Sequence, residues 1–156
     1  VKVVVDASGQ LLLNTLPKTP FLIKPNKDEL GEIFGVKIED REMAISYARK
    51  LQQMGAKNVL VSLAGEGAVL VTETGRELES VAPKGKLVNG VGAGDSMVAG
   101  FLVGFLDSLK TDDDDFEKAY KEAFCTALAA GSASAFSESF ATREQMLELK
   151  AELTIA

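Results

Sequence analysis

The sequence predicts an α/β domain on a mainly parallel sheet, and three observations predict it. Short β-branched runs alternate with stretches whose apolar residues recur at helical spacing. The runs are apolar at every position, as strands buried on both faces are. Gly, Asp and Pro punctuate the chain at short intervals, with no repeat and no Pro/Ser-rich linker, which predicts one α/β unit over residues 1–156.

The elements follow in order. Lys2-Val3-Val4-Val5 is a strand ended by Asp6, Ser8 and Gly9, and Gln10 to Leu16 is a short helix that stops before Pro17. Phe21-Leu22-Ile23 is a second strand. The next helix places Leu30, Ile33 and Phe34 on one face and closes at Gly35. Asp40 caps a helix with the stripe Met43, Ala44, Tyr47, Ala48, Leu51 and Met54, closed by Gly55. Val59 to Leu63 and Ala68 to Thr72 are strands, with a hairpin tip at Glu73-Thr74-Gly75. The stretch Ala68 to Val88 reads as more antiparallel than the rest, with Lys86-Leu87-Val88 a last strand. Helices are expected over Asp95–Leu109 and Asp115–Ala135, and Thr142 with Gln145 has capping-box spacing for another. Asp112 to Asp115 reads as a solvated loop ending in an N-cap rather than a metal site.

Composition narrows the function. Hydrophobic content is 46% and charged content 26%, ordinary for a globular protein, and 156 residues suffice for one sizeable core. The net charge of −6 argues against nucleic acid and anionic membrane as partners. Cys125 is the only cysteine, so no intrachain disulfide exists, and its apolar neighbours predict a buried, inert thiol. The absence of histidine excludes Ser-His-Asp and Cys-His catalysis within this chain. No signal peptide or membrane span is evident, and a cytoplasmic location is expected. The chain begins at Val1 and enters a strand at once, which reads as a piece of something longer.

Three segments carry chemistry. In Asn89-Gly90-Val91-Gly92-Ala93-Gly94-Asp95-Ser96, glycines allow positive φ, so successive N–H groups can converge on an anion. A helix start adds its unsatisfied N–H groups and positive dipole end. Asp95 is out of place beside a phosphate unless it accepts a proton from an attacking hydroxyl, the work of a general base. The plainer reading is an Asp N-cap at an ordinary turn. The segment is neither a P-loop nor the dinucleotide fingerprint. Ser62-Leu63-Ala64-Gly65-Glu66-Gly67-Ala68 is a glycine turn at the carboxyl end of a buried strand, where open α/β sheets bind ligands; a simple tight turn also explains it. Lys24-Pro25-Asn26-Lys27-Asp28-Glu29 places Asn26 and Glu29 three apart, which capping alone explains. The functional alternative is a site where an amide oxygen and a carboxylate serve a hydrated Mg²⁺, with Lys24 adding positive charge near phosphates.

Taken in order, these segments resemble the carboxyl-terminal half of the ribokinase-like (PfkB-type) sugar kinases. The resemblance covers nearly the whole chain. It implies a three-layer αβα fold of which the lid and sugar-binding half are absent. It also implies ATP and Mg²⁺, with Asn26 and Glu29 organising the metal through water. The segment Ser62, Leu63, Ala64, Gly65, Glu66, Gly67 and Ala68, with Lys24 and Asn89, is then the nucleotide site. Gly92, Ala93 and Gly94 form the anion hole, and Asp95 is the catalytic base. The chain departs from many relatives at Asn89-Gly90, where they carry Asp-Thr, the Asp belonging in some to a monovalent-cation site. Phe21 to Asn26, Glu29 to Glu32, Pro83 to Asn89 and Gly131 to Ser137 are similar to members acting on fructose 1-phosphate. That likeness implies phosphoryl transfer to its 6-hydroxyl, giving fructose 1,6-bisphosphate, in a homo-oligomeric full-length enzyme. A tagatose-6-phosphate kinase is the near alternative, and a nucleotide-binding fragment without catalysis the alternative of another class.

Overall fold

The computed structural model describes residues 1–110, 115–139 and 141–156. The chain divides into two compact units, Val1–Glu79 and Ser80–Ala156. The expected Asp112–Asp114 loop lies outside the described residues. No described helix is long and apolar enough to cross a membrane.

The first unit is a sheet covered by helices. Its elements are β1 (Val4–Val5), α1 (Gly9–Thr15), β2 (Leu22–Ile23), α2 (Lys27–Phe34), α3 (Arg41–Gln53), β3 (Asn58–Ser62) and β4 (Ala68–Val71). A fifth strand, β5 (Glu77–Ser80), leads the chain out. The strands lie in the order β1-β2-β3-β4-β5. β1 runs parallel to β2 and β2 to β3, whereas β4 is antiparallel to β3 with Leu60 opposite Leu70. The sheet is therefore mixed, parallel in its first three strands. Antiparallel pairing begins where the connection shortens: residues 63–67 are too few for the crossover a parallel neighbour needs.

One sheet face presents Ile23, Val59, Val61, Val69 and Val71 to Leu12 and Leu16, Leu30 of α2, and Ala44, Ala48 and Leu51 of α3. The intervening Leu22, Leu60 and Leu70 are just as buried, which is why these strands read as unbroken apolar runs. Local signals set the helix ends. Asp40 accepts from Met43 N–H at 2.7 Å, and Gly35 closes α2 at φ 65°. Gly55 follows α3 at φ 130°, with Ala56 N–H returning to Leu51 O at 3.2 Å. Leu16–Lys18 continues past α1 as a 3₁₀ turn with Pro17 in its first positions, so the chain does not leave helical geometry before the proline.

The second unit is helical: α4 (Ala93–Ser108), α5 (Phe116–Ala135) and α6 (Arg143–Ala151). α4 buries Met97, Gly100, Phe101, Gly104 and Phe105. A Cβ on Gly100 would lie 2.6 Å from Thr126 O, and one on Gly104 2.7 Å from Glu122 O, so α4 and α5 meet nearly backbone to backbone. The Phe105 and Tyr120 rings lie 5.1 Å apart in the same seam. Asp115 caps α5, accepting from Lys118 N–H at 3.1 Å. Thr142 and Gln145 form the expected reciprocal box. Lys150 on α6 pairs with Glu122 on α5 at 2.6 Å.

Two expectations need correction. Lys86-Leu87-Val88 is not a strand; all three residues are exposed. Val88 N–H donates to Ala135 O at 2.8 Å, so the donor a strand would need is committed to the end of α5. Cys125 is half-buried rather than buried. Burial, then the negative charge of Glu122, raises its thiol pKa, so inertness stands on that ground.

Candidate phosphate-handling site

In the first unit, the structure brings two of the three segments together at the carboxyl ends of the parallel strands. Asn26 forms a parallel bridge with Ser62, and Ser62 N–H donates to Pro25 O at 3.2 Å. Asn26 caps α2: its Oδ1 accepts from Glu29 N–H and Glu29 Oε2 accepts from Asn26 N–H, each at 2.8 Å. The capping reading is therefore realised in full. Among the described residues it leaves the second carboxylate oxygen of Glu29 uncommitted. Among the described residues no three acidic, His or Cys side chains converge as a metal cage. The pair fits a Mg²⁺ that keeps most of its own waters and takes one carboxylate from the protein.

Lys24 is 7% exposed, and its Nζ lies 3.4 Å from Asp6 Oδ1. Asp6, just past β1, did not figure among the candidate residues. The two are 18 positions apart, and only the parallel pairing of β1 with β2 makes them neighbours.

The Ser62–Ala68 turn is tightly held. Leu63 N–H donates to Gly67 O at 2.8 Å and Gly67 N–H to Ala64 O at 3.0 Å. Gly67 adopts φ 102°, ψ −133°, a conformation open to glycine. Ala64 stands at φ 50°, where a side chain is strained. Glu66 is gripped from two helices: Lys27 Nζ lies 2.6 Å from its carboxylate and Arg41 Nη2 donates to its carbonyl at 2.6 Å.

The third segment belongs to the second unit. Gly92 is the N-cap of α4 at φ 79°, and no side chain caps this helix. Asn26, Asp40, Asp115 and Thr142 do cap theirs. Ala93 N–H turns back to Gly90 O at 3.3 Å and Ser96 N–H to Gly92 O at 2.9 Å. The N–H groups of Gly92, Gly94 and Asp95 find no protein acceptor among the described residues. Helix α4 begins at Ala93, two residues earlier than expected, so Asp95 stands in its first turn and is not its cap. Its side chain is exposed. Asn89 Oδ1 accepts from Val91 N–H at 3.0 Å and shapes the approach to the turn. Three open donors and a free carboxylate thus share one helix start, chemistry suited to binding an anion and receiving a proton beside it.

Residues 1–145 match the pattern of the pfkB family carbohydrate kinases. The chain belongs to that family. It is 46% identical over 154 residues to 1-phosphofructokinase of Bacillus subtilis, spanning 99% of this chain and 48% of the relative. It is 37% identical over 139 residues to D-tagatose-1-phosphate kinase of Bacillus licheniformis, spanning 88% and 42%. A Staphylococcus aureus crystal structure with a provisional phosphofructokinase assignment superposes with a TM-score of 0.86 at 40% identity. It covers 100% of this chain and 48% of that one. The chain therefore spans about half the length of the relatives it matches, and its fold is that of the corresponding part of the PfkB kinases.

Proposed function

We propose that this chain is the nucleotide-binding and catalytic half of a PfkB sugar-phosphate kinase. Its reaction is transfer of the γ-phosphoryl group of ATP to the 6-hydroxyl of fructose 1-phosphate. The observation that carries the reading is the start of α4, with the open donors of Gly92, Gly94 and Asp95 beside a carboxylate that caps nothing. The 46% identity to a 1-phosphofructokinase supports the substrate. The D-tagatose-1-phosphate kinase relative favours a ketose 1-phosphate over a 6-phosphate acceptor.

Asp95 orients the sugar hydroxyl and takes its proton as the oxygen attacks the γ-phosphorus. The new O–P bond forms as the bond to the β-phosphate oxygen breaks, and ADP leaves. The open amides stabilise charge on the group in transit, and one such donor is typically worth ~3 kcal/mol of barrier. Lys24 and the Ser62–Ala68 turn hold the nucleotide, and Asn26 and Glu29 would hold Mg²⁺ through water. The ion supplies charge neutralisation on the phosphates.

In a full-length protein carrying this sequence, Asp95→Asn keeps ATP·Mg affinity and lowers turnover roughly 10²–10⁴-fold. Near-normal turnover in that variant would refute the base assignment. The half-length span favours a second reading, a nucleotide-binding piece with no turnover of its own. Calorimetry on this chain with ATP·Mg, with and without fructose 1-phosphate, separates the two: binding of nucleotide alone supports the second.

A further inference from the structure

The segment Gly131–Phe136 resembles the family yet has no part in the chemistry above. It is the last turn of α5 and its cap, and it touches the Gly92–Asp95 region repeatedly. Ser96 Oγ and Ser134 Oγ are 2.7 Å apart. Ala135 O accepts from Val88 N–H at 2.8 Å and Asn89 N–H at 3.1 Å. A Cβ on Gly131 would lie 2.3 Å from Met97 Cγ and 3.1 Å from Ala93 O, in the first turn of α4. A Cβ on Gly85 would lie 2.2 Å from the Phe136 ring.

We propose that the end of α5 is the template of the anion turn, with Ser134 and Gly131 as positioning residues for the Gly92–Asp95 amides. The proposal rests on the phosphate-handling reading of that turn. The physical need is plain. Residues 84–91 are exposed, and two of them are glycine. Such a segment has little stability of its own. An anion hole, however, works only when its donors are held within a fraction of an ångström. Every non-local backbone hydrogen bond that residues 85–96 make among the described residues ends on Ala135 O. The Ser96 hydroxyl, which in a helix turns back on the carbonyl four residues earlier, reaches across to Ser134 instead. Ser134 is 7% exposed, so its end of the bond is buried while Ser96 is half-buried. Ordinary helix packing explains Gly100 and Gly104 further along the seam. It does not explain a hydroxyl pair and a shared carbonyl at the start of α4, which no side chain caps.

The test uses this chain, with two readouts: the amide resonances of Gly92, Gly94 and Asp95, and affinity for ATP·Mg by calorimetry. Ser134→Ala shifts those resonances and weakens ATP·Mg by about tenfold, the weight of one hydrogen bond to a charged group. Ser96→Ala does the same, and the double variant loses no more than either single, because one bond is removed in each case. Gly131→Ala displaces the same amides by pushing on Ala93 O. Gly104→Ala is the control: it lowers Tm through clashes with Glu122 O and Thr126 while leaving the turn amides in place. Unmoved turn amides in Ser134→Ala, or the same shifts in Gly104→Ala, would overturn the proposal. A parent chain that binds no ATP·Mg refutes the proposed function instead, and the resonances still decide the positioning role.

Discussion

Exchanging Ala64 and Gly65 should stabilise this protein. Ala64 sits at φ 50°, and a side chain in the left-handed region costs about 1–2 kcal/mol. Its neighbour Gly65 has no positive φ, and a Cβ added there meets nothing within 4 Å. The glycine thus stands one position away from where the backbone needs it. Ala64→Gly alone is ambiguous, because relief of strain is opposed by about 0.4–1 kcal/mol of extra unfolded-chain entropy. The exchange removes that ambiguity. With Ala64→Gly and Gly65→Ala combined, the unfolded chain keeps one Ala and one Gly, and the entropy terms cancel. What remains is the strain, about 1–2 kcal/mol, or roughly 2–8 °C in Tm for a chain of this size. Thermal unfolding followed by circular dichroism reads it. An unchanged or lowered Tm in the exchanged protein would refute the strain argument. Backbone strain gathers at binding sites, and this turn is the proposed nucleotide site. Calorimetry on the exchanged variant therefore has an expected result too: weaker ATP·Mg binding in a more stable protein.

Two further perturbations probe the remaining groups. Asp6→Ala leaves the buried Lys24 ammonium without its 3.4 Å partner and should cost about 1–3 kcal/mol in urea unfolding; an unchanged midpoint would show that Lys24 is satisfied by water. Cys125, with its thiol pKa raised by burial and by the charge of Glu122, should react with iodoacetamide more slowly than a free thiol at neutral pH. The folded state holds that proton more tightly than the unfolded state. Its stabilising contribution is thus complete below the unfolded thiol pKa and is lost as pH rises through the folded one. As pH rises past the ordinary thiol range the parent should lose Tm more steeply than Cys125→Ala; parallel slopes would count against a shifted thiol.

The parts of this molecule legible in the sequence are those decided within one helical turn. Asn26 with Glu29, Asp40 with Met43 and Thr142 with Gln145 are each three residues apart, so the chain alone specifies the cap. Helix α2 ends at a glycine for an equally local reason. What the sequence does not show is pairing across long separations. Ser96 meets Ser134, 38 positions on, because α4 and α5 are pinned by small residues along their seam. Glu66 meets Lys27, 39 positions back, because β2 and β3 are parallel neighbours. The failed strand at Lys86–Val88 belongs to the same class. Its three residues carry a β-like pattern, but their fate was set by a carbonyl at the end of a helix 47 positions later. Asp6 carried no local sign of its role, since an Asp after a short strand is ordinary turn chemistry.

The start of α4 is best judged against the other helix starts of the same chain. Asp40 and Asp115 do what aspartate usually does there, accepting backbone N–H groups at 2.7 Å and 3.1 Å. Asp95 is the same residue type at the same kind of place, and sequence reasoning could not separate it from them. The structure separates it through Gly92, whose left-handed φ of 79° starts the helix at Ala93 and carries Asp95 past the capping position. The consequence is double. Amides that a capping carboxylate would have occupied stay open, and the carboxylate itself stays uncommitted. A substitution at Gly92 that cannot hold positive φ would let the helix start slide toward Asp95. That residue would then become the cap, its carboxylate taken up by an N–H two or three residues on, and the Gly94 and Asp95 amides would no longer lie in the first turn of the helix. This is the sense in which a glycine three residues earlier, rather than the aspartate itself, gives the turn the open amides and free carboxylate on which the proposed phosphoryl chemistry rests.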